Sequence, residues 1–576
     1  MENTSYFVAS KHKLSTFLSF IFRSPTSYHP LLASAVTRLI VRDQGSRLLV
    51  GKDENTVLQL IRMINSDNHL LVEQACSSLA NLSGEVYSEM LVKCDIMRPI
   101  ETILMSPALE DPVSVLHVVV TLAYGSDTVA MKMLTTGVMR SLQKLFDHGN
   151  PEVQRLALLA VGNLAFCREN RHFLVTSKSL RRRLVCLTDT PAEPRVSKAA
   201  ARALAILGDN ESLRRAIRGR RVPKQGVRIL SLDGGGMKGF ATLQILQEIE
   251  KRTGKRMHEL FDLICGTSTG GIYAAALAIK LMSAYQLEEI YKNFGKFVFA
   301  EPVPKNNRVA SWRSKLDGIY KSFRVVAKGS KHSAENLESL LQDLCADEDG
   351  DDLLIETAVK NIPKVFLVST LASVTPAQPF IFRNYQHPAG PPDAPLATSE
   401  SSVGSCKHLL WEALRASCAA PYYLDDFSDG VYRWLDGGLI ANNPTILSIR
   451  EAQLLWTDTT IDCVVSIGSG SLPTKARKGG WRYLDAGQVL LESACSVAHT
   501  EEALRTLLPM HPEINYFRFN PVDERCGMDL DETDPTVWLN LEAATKDYIK
   551  RNSESFKNAC EKLLVPLENG WKWTEF

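Results

Sequence analysis

Ser268 lies in the pentapeptide Gly266-Thr267-Ser268-Thr269-Gly270, where glycines flank a hydroxyl at the spacing of a nucleophile elbow. Such a turn lifts the serine oxygen out of a sheet and points the N-terminus of the following helix at the attacked carbonyl. The pentapeptide by itself is weak, since roughly 0.2 copies arise by chance in a chain of this length. Its context adds weight: the β-type run LFDLIC (Leu260 to Cys265) precedes it and the helix-forming IYAAALAIKL follows. A serine hydroxyl also needs a base within hydrogen-bond reach. Two sources are available. His499 or His511 could complete a triad in the order serine, acid, histidine, although neither sits in a glycine loop. Asp436 is the better candidate, because in YRWLDGGLIANNP a strand ends at the acid, and Gly437 and Gly438 supply a tight backbone that would aim its carboxylate into a cleft.

A second glycine-rich loop stands upstream. VRILSL (Val227 to Leu232) is a compact strand-type run that ends in Asp233, Gly234, Gly235, Gly236, Met237, Lys238 and Gly239, and a helical stretch then continues to about Lys251. Glycines let a backbone approach a ligand closely, and free N–H groups at a helix start stabilise an anion, either a phosphate or an oxyanion. A Walker loop needs Ser or Thr after its lysine, and here Gly239 follows Lys238. A dinucleotide fingerprint fits only loosely, because no acid follows a second strand. No metal is expected: the twelve cysteines form no CxxC pair or His/Cys cluster at zinc spacing. The acidic stretch Asp347, Glu348, Asp349, Gly350, Asp351, Asp352 lacks the glycine and terminal glutamate of a calcium loop. No cofactor is called for.

DGGGMKG, GTSTG and DGG, in this order, resemble the patatin-like phospholipase family. WEALRASCAAPYYL (Trp411 to Leu424), FIFRNYQHPAG (Phe380 to Gly390) and NYFRFNP (Asn515 to Pro521) extend the resemblance over about residues 226 to 530. It implies a serine–aspartate dyad without catalytic histidine, with Ser268 as nucleophile in the elbow of Gly266 and Gly270. Asp436, in the acid-loop motif with Gly437 and Gly438, becomes the base. The glycine loop Gly234, Gly235, Gly236 and Lys238 becomes the oxyanion hole, its donors the N–H groups of Gly235 and Gly236. Lys238 stands where the family usually has arginine; it keeps the charge and loses the planar fork. The implied chemistry is calcium-independent release of fatty acids from glycerolipids, phospholipid or galactolipid, through an acyl-enzyme.

These motifs need a scaffold, and the chain changes character along its length. Between about residues 31 and 215 one helical phrase recurs, at Val72 to Ser83, Val113 to Ser126, Val153 to Phe166 and Val196 to Asp209, with starts about 40 residues apart. That period predicts an α-solenoid of armadillo or HEAT type, a scaffold for binding a protein partner or for spacing. Residues 1–30 read as a tail or targeting segment, with a few basic residues and many serines, which leaves a plastid open as an alternative to the cytoplasm or a membrane surface. Residues 216–225 read as a linker inside a basic run, Arg214, Arg215, Arg218, Arg220, Arg221 and Lys224. Residues 226–470 form the α/β hydrolase domain, with a mostly parallel central sheet flanked by helices, and 471–576 its C-terminal part and a helical extension.

Composition fits a globular chain, with 45% hydrophobic and 23% charged residues, and a net charge of +1 argues against nucleic acid. The longest apolar stretch, Gly271 to Met282, contains Lys280 and falls short of the ~18 to 20 residues that span a bilayer. A glycerolipid would therefore be met at a membrane surface, with the basic run, or Lys475, Arg477, Lys478 and Arg482 beside Trp481, holding anionic lipid.

Overall fold

The computed structural model describes residues 29–42, 44–105, 112–189, 193–299, 331–346, 353–388, 403–475, 489 and 492–564. Most of the expected N-terminal tail, the acidic stretch 347–352, and Arg477, Lys478, Trp481 and Arg482 lie outside the described residues. The chain divides into two compact units with the main boundary between Arg218 and Gly219.

The first unit is an armadillo-like array. Four long helices, His69–Ala80, Val113–Gly125, Pro151–Leu164 and Pro194–Leu207, carry the recurring phrase and pack each against the next. Capping defines their ends: Asn68 and Asn150 accept hydrogen bonds from the first helical N–H groups, Pro151 and Pro194 sit in first turns, and Gly208 closes the last at φ 75°. Small residues bring neighbouring helices together, as where a Cβ on Gly162 would lie 3.3 Å from Ala203 Cα. The buried Arg202 guanidinium donates to Asn163 Oδ1 at 2.9 Å, and Asn163 Nδ2 donates to the Val120 carbonyl at 2.9 Å. Three successive long helices are thereby joined through the buried side chains of Asn163 and Arg202.

The second unit is built on a nine-stranded sheet. β1 (Val227–Leu232) is its centre, with β2 (Leu263–Thr267) and β3 (Lys364–Leu371) on one side and β8 (Ile461–Ile467) and β9 (Asn515–Phe519) on the other, all parallel. β4 (Gln378–Arg383) joins β3 antiparallel, β5 (Gly404–Ser405) joins β4, and the hairpin of β6 (Phe427–Ser428) and β7 (Arg433–Asp436) pairs with β3. Helices cover both faces, so β1, β2 and β8 are buried at every residue and read as continuous runs rather than alternating ones. One face packs on Gly239–Thr253, Pro535–Arg551 and Ser553–Leu564, the other on Thr445–Leu455.

One boundary differs from the sequence expectation. The strand expected over Leu260 to Cys265 begins at Leu263, because Met257–Leu260 is a helical turn closed by Phe261 N–H on the Met257 carbonyl. Several residues of the basic run are paired. Arg214 and Arg215 pair with Glu211, and Arg220 donates to the Phe261 carbonyl at 2.6 Å and Asp262 Oδ1 at 2.7 Å. All twelve cysteines are free thiols, ten of them buried. No helix among the described residues is long and apolar enough to cross a membrane.

Candidate active site

In this sheet the strand order reverses about β1: successive strands run outward through β2 and β3 on one side, through β8 and β9 on the other. A crevice at the carboxyl ends of the strands is expected at such a switch point. The ends of β1, β2, β7 and β8 lead respectively into the glycine loop, Ser268, the acid loop and the turn Gly468-Ser469-Gly470.

β2 ends at Thr267, and Ser268 follows in a conformation that L-residues rarely adopt, φ 53° and ψ −122°. The strain is held from several directions. Ser268 N–H donates to Ser417 Oγ at 2.9 Å, Ser417 Oγ donates to the Val368 carbonyl at 2.6 Å, and Ser268 O accepts from Gly271 N–H at 2.8 Å. The tightness of the turn explains its glycines, since a Cβ on Gly266 would collide with the Gly270 carbonyl and one on Gly270 with the Leu232 carbonyl. Backbone strain fixed by its surroundings is a recurring property of functional residues.

Antiparallel pairing with β3 sets the position of β7 and places Asp436 opposite Ser369. Ser268 Oγ donates to Asp436 Oδ2 at 2.7 Å, and Gly438 N–H donates to Asp436 Oδ1 at 2.7 Å. Both carboxylate oxygens are therefore aimed. The residue is 7% exposed, and burial raises its pKa to about 6, partly offset by those two hydrogen bonds. A carboxylate in this state is more basic than an ordinary aspartate.

The glycine loop faces the same cavity. Gly234 N–H donates to the Asn442 carbonyl at 3.1 Å. The N–H groups of Gly235 and Gly236 make no hydrogen bond among the described residues, and both glycines line the cavity. The loop is braced beneath. Tyr291 OH donates to the Gly236 carbonyl at 2.6 Å, Met237 N–H to the Leu530 carbonyl at 2.8 Å, and the Arg518 guanidinium grips both Asp233 oxygens, at 3.0 and 2.6 Å. Lys238 is half-buried at the cavity wall; its ammonium makes no hydrogen bond or ion pair among the described residues, and burial lowers its pKa.

The cavity has a volume of about 330 Å³, and Ser268 and Asp436 share it with Ile272, Phe299, Leu337, Leu424, Leu439 and Leu530. An apolar chamber with a few convergent polar groups suits an acyl chain ending in a polar carbonyl. Cys418 and Cys495 also line it, and burial pushes the Cys495 thiol up to about 11. His499 and His511 do not; both are exposed, and His511 stands beside Glu513.

Sequence reasoning brought Ser268, Asp436 and the glycine loop together and missed the groups that hold them, among them Ser417, Tyr291, Arg518 and Ser469. Ser417 and Arg518 had a signal, since they stand in the blocks WEALRASCAAPYYL and NYFRFNP. Tyr291 and Ser469 lie in no such block.

Residues 230–448 match the patatin-like phospholipase family. Over its whole length the chain is 63% identical to phospholipase A I of Arabidopsis thaliana, covering 46% of that protein. Over 61% of its length it is 34% identical to calcium-independent phospholipase A2-gamma of Mus musculus, covering 42% of it. The chain thus spans less than half the length of these curated relatives. A designed armadillo repeat protein superposes on 35% of the chain with TM-score 0.31 and 18% identity, covering 87% of that design.

Proposed function

Because the chain carries a patatin-like phospholipase domain, we propose that it is a lipid acyl hydrolase that releases fatty acids from glycerolipids, with Ser268 as nucleophile and Asp436 as its base. The observation that carries this reading is the 2.7 Å hydrogen bond from Ser268 Oγ to Asp436 Oδ2 in an apolar cavity, beside two uncommitted backbone N–H groups.

The steps follow from that arrangement. Asp436 takes the Ser268 proton as Oγ attacks the acyl carbonyl carbon, and Gly235 and Gly236 N–H groups receive the charge on the carbonyl oxygen. Protonated Asp436 returns its proton to the departing alkoxide as the ester C–O bond breaks, leaving an acyl-serine. Water then attacks the acyl carbon, giving its proton to Asp436, and the fatty acid leaves as Ser268 recovers a proton. Backbone donors and a buried carboxylate supply every charge this sequence needs, so the reaction is calcium-independent.

The substrate is met at a membrane surface from the cytoplasmic side, or from within a plastid if the N-terminal tail directs import. The helical array serves as a scaffold for a protein partner. Nothing in the composition calls for nucleic acid.

Fatty-acid release from phospholipid and galactolipid vesicles tests the proposal. Ser268→Ala and Asp436→Ala should abolish release in the presence of chelator, while His499→Ala and His511→Ala keep wild-type rates. A folded wild-type chain inactive on every glycerolipid ester would overturn the reading, and a folded but dead histidine variant would replace the dyad by a triad.

A further inference from the structure

Two peptide units carry the free donors of the glycine loop. The Gly235 N–H belongs to the unit whose other end is the Gly234 carbonyl; the Gly236 N–H belongs to the unit ending in the Gly235 carbonyl. A planar peptide fixes its N–H once its carbonyl is fixed, because the two point in opposite directions from a rigid plane. The Gly235 carbonyl accepts from Lys238 N–H at 3.0 Å, within the loop itself. The Gly234 carbonyl accepts from a distant side chain, Ser469 Oγ, at 3.0 Å.

Ser469 is well placed to act as a fixed post. It is 9% exposed and stands one residue beyond Gly468 in the turn after β8. On its N-terminal side Gly468 N–H donates to the Phe519 carbonyl at 2.8 Å, and the Gly468 carbonyl accepts from Thr242 Oγ1 at 3.1 Å. On its C-terminal side Gly470 N–H donates to Asn520 Oδ1 at 2.9 Å. The hydroxyl also limits the loop sterically, as a Cβ on Gly235 would collide with Ser469 Oγ.

We propose that Ser469 is a positioning residue for the reaction: by holding the Gly234 carbonyl it keeps the Gly235 N–H turned into the cavity as one of the two oxyanion donors. This rests on the acyl-hydrolase reading above. Without the hydroxyl the Gly234–Gly235 peptide is free to rotate, since glycines on both sides impose little resistance. The donor is then present for only part of the time.

The prediction concerns the transition state more than the ground state. Loss of one oxyanion donor costs about 10² to 10³ in kcat, so partial loss in Ser469→Ala should lower kcat by about 10- to 100-fold, with KM within about twofold of the wild type. Ser469→Thr, which keeps the hydroxyl, should restore most of kcat.

The experiment measures kcat and KM on a short-chain soluble ester for the full chain, with melting temperatures of each variant. Ser469→Ala as active as the wild type overturns the inference alone. A fall in kcat that Ser469→Thr leaves unrestored, or one accompanied by an equal rise in KM, also overturns it, because loss of packing or of substrate binding then explains the effect. A folded wild type that hydrolyses no ester overturns the acyl-hydrolase reading and this inference together.

Discussion

Replacing Asp436 by Asn separates two consequences of burying this carboxylate. Burial raises its pKa from the ordinary 3.8 to about 6 in the folded protein, whereas in an unfolded chain the group titrates near its unperturbed value. Below about pH 4 both states carry the proton and burial adds no charge penalty. Above about pH 6 both have lost it, and the folded state holds a charge it resists. Stability conferred by the protonated group is therefore lost as pH rises from about 4 to about 6. A difference of about two pH units, at about 1.4 kcal/mol each, makes that loss about 3 kcal/mol. Asparagine has the same shape, keeps an Oδ1 acceptor for Gly438 N–H, and never ionises. For a catalytic unit of about 350 residues, Asp436→Asn should melt roughly 4 °C above the wild type at pH 7 to 8, with the gap closing toward pH 4. Its hydrolysis should fall by about 10³-fold on the wild-type plateau above about pH 6, and by progressively less toward about pH 4, where the wild-type base is itself protonated. In the wild type, kcat/KM should rise about tenfold per pH unit up to about 6 and then level off. Calorimetric scans and ester hydrolysis on both proteins from pH 4 to 8 check this. A melting gap independent of pH would refute the argument from burial, and a wild-type rate profile flat between pH 4.5 and 7 would refute Asp436 as base.

Two further substitutions probe the loop. Arg518→Met strands the buried Asp233 carboxylate without its partner, and a loss of about 3 to 5 kcal/mol in unfolding free energy is expected; a loss below 1 kcal/mol by denaturant titration would contradict the bracing role. Lys238→Arg, which restores the family's usual residue, should leave kcat on a soluble ester within about threefold, because the proposed donors are backbone N–H groups; a loss beyond about 30-fold would assign the side chain a larger part.

The local signals in the sequence were strong where structure is local. The recurring phrase located four helices to within about three residues, since caps such as Asn68, Asn150 and Gly208 are written beside the helices they end. Asp436 was recognisable as the end of a strand from YRWLDGG alone. Hydrogen bonds across the fold were not legible. That the Asn442 carbonyl takes Gly234 N–H, or that Ser469 meets the Gly234 carbonyl, depends on the relative placement of β1, β8 and the acid loop. The start of β2 was misplaced because Leu260 and Phe261, apolar and buried like strand residues, belong to the end of the helical turn Met257–Leu260 and its cap.

The Asp233–Arg518 pair bears on the order in which the catalytic unit becomes competent. These residues are 285 positions apart, and pairings so distant in sequence form late because a long loop must close first. During synthesis from the N-terminus the ribosome delivers Ser268 and Asp436 well before Arg518, and the brace beneath the glycine loop arrives only with β9. A partly made chain thus carries Ser268 and Asp436 without the brace beneath the glycine loop, and under the proposed function acyl-hydrolase activity should appear only once the sheet is complete.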